Sequence, residues 1–173
     1  MTGTRKRPIP ARGLGLLVAA LTVLLDQANK LWLIFVFDIG AHQPVRVTPF
    51  FDVVFAKNPG ISYSLLSAKS EAGRWGLLAM TLLATAALLF WLYRSRNRLT
   101  ALGLGLVIGG ALGNAYDRLA YGFVADFYHF HIGGFSWYIF NLADVAIVGG
   151  VALLLFESVF AKDGEAREKG ARA

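Results

Sequence analysis

The sequence predicts an all-α membrane protein, with four transmembrane helices carrying a small β-rich subdomain at their outer face. Three observations lead there. Hydrophobic residues make up 56% of the chain against 16% charged, a balance too apolar for an ordinary soluble domain. They concentrate in four segments, residues 14–37, 75–93, 99–115 and 140–160, each near the roughly 20 residues a helix needs to cross a bilayer. The densest basic clusters lie before the first segment, between the second and third, and after the fourth. In a four-span topology these positions share one side of the membrane.

Residues 1–12, with Arg5, Lys6, Arg7 and Arg12, read as a cytoplasmic tail. The basic start and apolar run that follow could pass for a secretory leader. No small-residue cleavage site follows them, and Asp26 and Lys30 stand where one would belong, so a retained first span is expected. The first outer loop, 38–72, has strand-like stretches at 45–48 and 51–55, then a turn at Asn58-Pro59-Gly60. Spans two and three are joined by residues 94–98 alone, which makes them antiparallel neighbours. The third is the shortest and reaches spanning length only if its helix runs on toward Arg118. The second outer loop, 116–139, is aromatic, with Phe123, Phe127, Tyr128, Phe130, Phe135, Trp137 and Tyr138, residues that favour the membrane–water interface. After the fourth span, residues 161–173 form a second basic tail. One four-span domain, 13–160, is expected, with both termini cytoplasmic.

The net charge of +6 therefore orients the chain, and no nucleic-acid partner is expected. The absence of cysteine excludes disulfides, a thiol nucleophile and cysteine metal sites.

Helix rise, about 1.5 Å per residue, puts Asp26 about 21 Å from the cytoplasmic Arg12, Asn114 about 24 Å from Arg98, and Asp144 about 27 Å from Lys162. In a hydrocarbon core about 30 Å thick, three helices thus bring polar groups to one outer layer, and ionisable groups at such depth mark a functional site by default. Asp26 and Lys30, four apart on one helix face, form either a neutralising structural pair or a proton relay. Asp126 follows span three in the aromatic loop, and Asp144 lies one turn into span four. Folded together they would share a proton, the ionised member activating water and the neutral one protonating a carbonyl oxygen, as in aspartic peptidases. Alternatively, they are separate partners for Arg118 and Lys57.

Gly105, Gly109 and Gly113 form a stripe for close helix packing, and neither it nor Gly149-Gly150 is a phosphate loop. His129 and His131 could ligate a metal with Asp126, but interfacial histidines are the expected reading. A serine–lysine pairing of Ser62, Ser64, Ser67 or Ser136 with Lys57 or Lys69 has no supporting motif.

These elements together resemble the lipoprotein signal peptidases, or signal peptidase II. Asp26-Gln27-Ala28-Asn29-Lys30 is similar to the family's Asp-Gln-x-x-Lys element, and Asn58-Pro59-Gly60 to its Asn-x-Gly. Gly113-Asn114 with Asp117-Arg118 resembles its Gly-Asn-x-x-Asp-Arg block. Gly122 to Phe127 and Phe140 to Asp144 resemble the blocks holding its two catalytic aspartates. The resemblance implies a bacterial inner-membrane aspartyl endopeptidase, with Asp126 and Asp144 catalytic and no metal or cofactor. Asn58, Gly60, Asn114, Arg118 and Asn141 would position substrate and dyad, and Asp26 and Lys30 would order the first span. Its partners would be membrane lipids and a diacylglyceryl-modified prolipoprotein, cut before the lipidated cysteine, and a monomer is expected. Ile61, Ser62, Tyr63 and Val145 depart from the family pattern, which bears on substrate preference more than on chemistry. The alternative is a small proton-coupled transporter using Asp26, Lys30 and Asp144 as a relay.

Overall fold

In the computed structural model, residues 9–60 and 71–171 are described, with side chains through Val159. Helix α1, Ala11–Leu31, starts directly after Pro10, whose φ of −62° and ψ of 151° prevent the helix from extending backward. It continues as a π-helical turn, Trp32–Val36, and then Asp38 takes a left-handed φ of 51° that redirects the chain into the short α2, Ile39–His42. Strands β1, Val45–Thr48, and β2, Phe51–Asn58, form an antiparallel hairpin. Helix α3, Glu71–Arg94, and helix α4, Arg98–Tyr121, are separated by only three residues. Asn97 caps α4 by accepting the N–H groups of Leu99 and Thr100, and its amide donates to Glu157 Oε1 at 2.8 Å. Strand β3, Val124–Ile132, pairs antiparallel with β2, the two-residue β4, Phe135–Ser136, adds to its far side, and α5, Leu142–Ala171, follows.

The third span thus runs on past Arg118 to Tyr121. Among the described residues, four helices are long and apolar enough to cross a membrane: Ala11–Val36, Glu71–Arg94, Arg98–Tyr121 and Leu142–Val159. Their outer faces carry exposed Leu24, Leu25, Phe35, Leu83, Phe90, Val148 and Leu155, an apolar surface of the kind that faces lipid in a membrane bundle.

Helix α4 is the hub. Within its membrane window 61% is buried, against 22%, 22% and 11% in the other spans. Its small residues allow this. An added Cβ at Gly109 would lie 2.6 Å from Thr22 Cβ, and one at Gly113 would lie 2.7 Å from Asp26 Oδ2, so the stripe receives α1. Gly110 instead meets the Ala143 carbonyl of α5. With lipid on the outside, such backbone approach supplies the packing that holds a membrane bundle together.

The loop 116–139, expected as aromatic connection, is instead largely ordered structure. Its first residues complete α4, and β3 forms the second long strand of the sheet. Phe127 is fully buried and stacks on Phe55 at 5.6 Å, within a small core that includes Leu33, Ile39 and Ala125. The sheet therefore has its own apolar support at one end of the bundle.

Candidate active site

The register of β2 on β3 opposes Asn58 with Val124, and Ala56 with Asp126. Asn58 Nδ2 donates to Asp126 Oδ2 at 3.0 Å. Its Oδ1 accepts the Gly60 N–H at 3.1 Å, which fixes which way the amide faces. Gly60 has φ of 147°, where a residue with a Cβ is strained. The Asn-x-Gly element is thus a turn that aims one amide at one carboxylate.

Asn141, at the entrance to α5, is fully buried. Its Nδ2 donates to Asp126 Oδ1 at 2.6 Å and to Asn114 Oδ1 at 3.1 Å. Its Oδ1 accepts the Asp144 N–H at 3.0 Å, and its own N–H donates to Asp144 Oδ2 at 3.2 Å. Asn114 Nδ2 donates to Asp144 Oδ1 at 2.8 Å. Asp126 and Asp144 are therefore joined through the amides of Asn114 and Asn141. Every amide orientation in this relay is set by a partner, so the site is pre-organised.

The environments of the two carboxylates differ. Asp126 is 2% exposed. Burial pushes its carboxyl up to about 6, against the lowering effect of the Asn58 and Asn141 donors, and the Asp144 charge pushes the same way as burial. Asp144 is only partly buried and lines an apolar groove of about 480 Å³ with Trp137, Phe140, Val145, Val148 and Gly149.

Beneath the relay lies an ion cluster. Lys30 Nζ is 2.8 Å from Asp26 Oδ2 and 2.7 Å from Asp117 Oδ2, with all three side chains buried. Asp26 and Lys30 are therefore not a closed pair. Gln27 Nε2 bridges Asp26 Oδ2 at 3.1 Å and Asp117 Oδ1 at 2.9 Å. The roles of Asp117 and Gln27 were not foreseen from sequence, where Asp117 figured only as part of a motif. The available signal was spacing: Asp117 lies three residues beyond Asn114, on the same face of α4.

Arg118 Nη1 donates to the Asn114 carbonyl at 3.3 Å, and its buried Nε has no partner among the described residues. Lys57 does not pair with either carboxylate: its ammonium sits 5.2 Å from the centre of the Phe123 ring. Lys57 is thereby set aside as a separate partner of the carboxylates, while Arg118 feels the charge of both Asp144 and Asp126. The disfavoured alternative of a metal held by His129 and His131 with Asp126 gains no support from the geometry. Their rings lie 5.2 Å apart and His131 Nε2 contacts Asp52 at 2.9 Å, while both Asp126 oxygens are held by asparagines. Ser136 Oγ contacts His129 Nε2 at 2.7 Å. Ser62, Ser64, Ser67, Lys69, Ile61 and Tyr63 lie outside the described residues.

Fold and site together define the class, a multi-pass membrane protein with a carboxylate pair at one end of its helix bundle. Residues 18–160 match the family described as signal peptidase (SPase) II. A lipoprotein signal peptidase of Methylocella silvestris is 64% identical over 167 residues, covering 94% of this chain and 98% of the relative. One of Beijerinckia indica subsp. indica is 65% identical over 147 residues, covering 85% and 88%. A solved bacterial membrane enzyme, determined by the in meso method at 2.3 Å resolution, superposes with a TM-score of 0.72 at 29% identity, covering 88% of this chain and 90% of that one. The chain belongs to the signal peptidase II family, the lipoprotein signal peptidases, and is a membrane protease. The transporter alternative has no support in these relationships.

Proposed function

We propose that Asp126 and Asp144 form the catalytic dyad, and that the enzyme cuts diacylglyceryl-modified prolipoproteins before the lipidated cysteine. The observation that carries this reading is the asparagine-bridged carboxylate pair opening onto an apolar groove. Asp126, the more deeply buried member, holds the shared proton. Asp144, facing the groove, takes a proton from water as the water attacks the scissile carbonyl, and Asp126 protonates the carbonyl oxygen. On collapse the C–N bond breaks, Asp144 gives the proton it took from water to the leaving amine, and Asp126 takes back a proton from the intermediate's hydroxyl as the new carboxyl forms. The spare Nε–H of Arg118 is suited to donate to a substrate carbonyl oxygen, since a buried donor without a partner gains the most from one. Asn58, Gly60, Asn114 and Asn141 position the dyad, and Asp26 and Lys30 secure its scaffold.

The groove beside Asp144 suits the substrate's acyl chains, reached from the lipid rather than through water. The enzyme sits in the bacterial inner membrane with both termini cytoplasmic and the dyad toward the outer face, as the basic clusters support. It works as a monomer. Each buried methylene contributes about 0.8 kcal/mol of membrane affinity, so two acyl chains hold the scissile bond at the depth of the dyad while a bare cysteine does not. Purified enzyme in liposomes, given precursor with and without the diacylglyceryl group at equal concentration, should cleave the lipidated form at least about tenfold faster. Equal rates would reduce the reading to a membrane peptidase without lipid gating.

A further inference from the structure

Away from the dyad, the sheet brings together three side chains that the peptidase reaction does not use. Asp52 on β2 is the register partner of His129 on β3, and His131 lies two residues further along the same strand. Cross-strand neighbours and their diagonals are within side-chain reach. Here one ligand-capable atom from each of Asp52, His129 and His131 lies within 4.8 Å of the others. His131 Nε2 already meets Asp52 Oδ2 at 2.9 Å, the two histidine rings lie 5.2 Å apart and tilted by 34°, and His129 Nε2 contacts Ser136 Oγ at 2.7 Å, leaving its Nδ1 as the free ring nitrogen.

A second observation also points to a cation as ligand. Asp52 is buried, and its Oδ1 is enclosed with no hydrogen-bond partner among the described residues. The nearest positive group on that side, Arg46 Nε, stands 3.7 Å away on a side chain that is 75% exposed. That distance is too long for a hydrogen bond. A buried carboxylate oxygen left so is costly, and a metal ion would satisfy it.

We propose that Asp52, His129 and His131 form a binding site for a borderline divalent transition metal, with zinc as the best fit. Two imidazoles and one carboxylate are a donor set suited to zinc, which takes four ligands in a tetrahedral arrangement, so water completes the shell. The ion would lie among the two imidazoles and the Asp52 carboxylate and give Asp52 Oδ1 the partner it lacks among the described residues. Because the ligands come from both β2 and β3, it staples the strand that carries Asn58 to the strand that carries Asp126. The site lies outside the reaction and is independent of the assignment of the dyad.

The test uses the full-length chain without a histidine tag, purified in detergent and stripped with chelator. Zn²⁺ is titrated by calorimetry, and Co²⁺ is added as a coloured stand-in. The expected result is saturable binding of one ion per chain, the visible bands of four-coordinate Co²⁺, and a rise in Tm with Zn²⁺, since a ligand that binds only the folded state stabilises it. His129→Gln removes one donor without touching the Asp52–His131 contact, and should weaken binding at least about tenfold. His42→Gln, outside the cluster, should bind as the parent does. Absence of saturable binding overturns the proposal. So does binding that is unchanged in His129→Gln and in the double variant His129→Gln/His131→Gln.

Discussion

Asp117 accepts the backbone N–H of Ala125 at 3.1 Å, and the next residue is Asp126. Asp26 makes the equivalent contact on the other side of the site, accepting the N–H of Ala143 at 3.0 Å, and the next residue is Asp144. Lys30 lies between Asp26 and Asp117. One buried ion cluster therefore holds the backbone immediately before each of the two carboxylates, which explains why α1, with no carboxylate in the proposed dyad, carries two buried charges.

Asp117 should accordingly act as a positioning residue. Asp117→Asn keeps an oxygen that can accept from Ala125 but loses the charge facing Lys30, whereas Asp117→Ala loses both. We expect kcat to fall in the order parent, Asn, Ala, with KM changed much less. The Ala variant should also lose stability, since breaking a buried ion contact costs about 3–5 kcal/mol. Equal kcat in the two variants would show that the backbone contact does not matter.

Asp126→Asn and Asp144→Asn should each reduce cleavage at least about a hundredfold, the low end for losing a general acid or base. Helix content should stay that of the parent. Single-turnover measurements on folded protein decide the matter, and a variant that retains more than a few per cent of activity removes that residue from the dyad.

The pH dependence follows from Asp126. Burial first, and the Asp144 charge in addition, push its carboxyl up to about 6, so the proton needed for general-acid action is present below that pH and lost above it. kcat/KM, which reports the free enzyme, should show an alkaline limb near that value. Asn58 donates to the ionised form and so lowers the limb; Asn58→Ala should move it upward. A limb that stays in place in this variant would assign it to another group.

Orientation can be read with single cysteines, because the chain has none of its own. Arg96→Cys lies in the connection between α3 and α4, and Gly134→Cys lies in the turn before β4, where an added side chain meets nothing within 4 Å. An impermeant thiol reagent added outside intact spheroplasts should label position 134 and leave position 96 unlabelled. The reverse pattern would put the dyad on the cytoplasmic side and away from exported substrates.

By itself the sequence determined the four spans and the common depth of Asp26, Asn114 and Asp144. Hydropathy is a local property, and helix rise is constant, so depth follows from counting. It also determined two strands: the stretch 45–48 is β1, and the stretch 51–55 is the start of a longer β2. Strand β3 was not legible. Its run of Phe127, Tyr128, His129, Phe130 and His131 reads equally well as interfacial aromatics, and only pairing with a strand some seventy residues earlier makes it a strand. The small-residue pattern likewise declared close approach but not to which neighbour; in the bundle Gly109 and Gly113 receive α1, while Gly110 receives α5. The tertiary structure alone decided that Asp117 completes the Asp26–Lys30 cluster and that His131 turns to Asp52, because side-chain partners from distant segments depend on register and helix rotation, and neither is encoded in local composition.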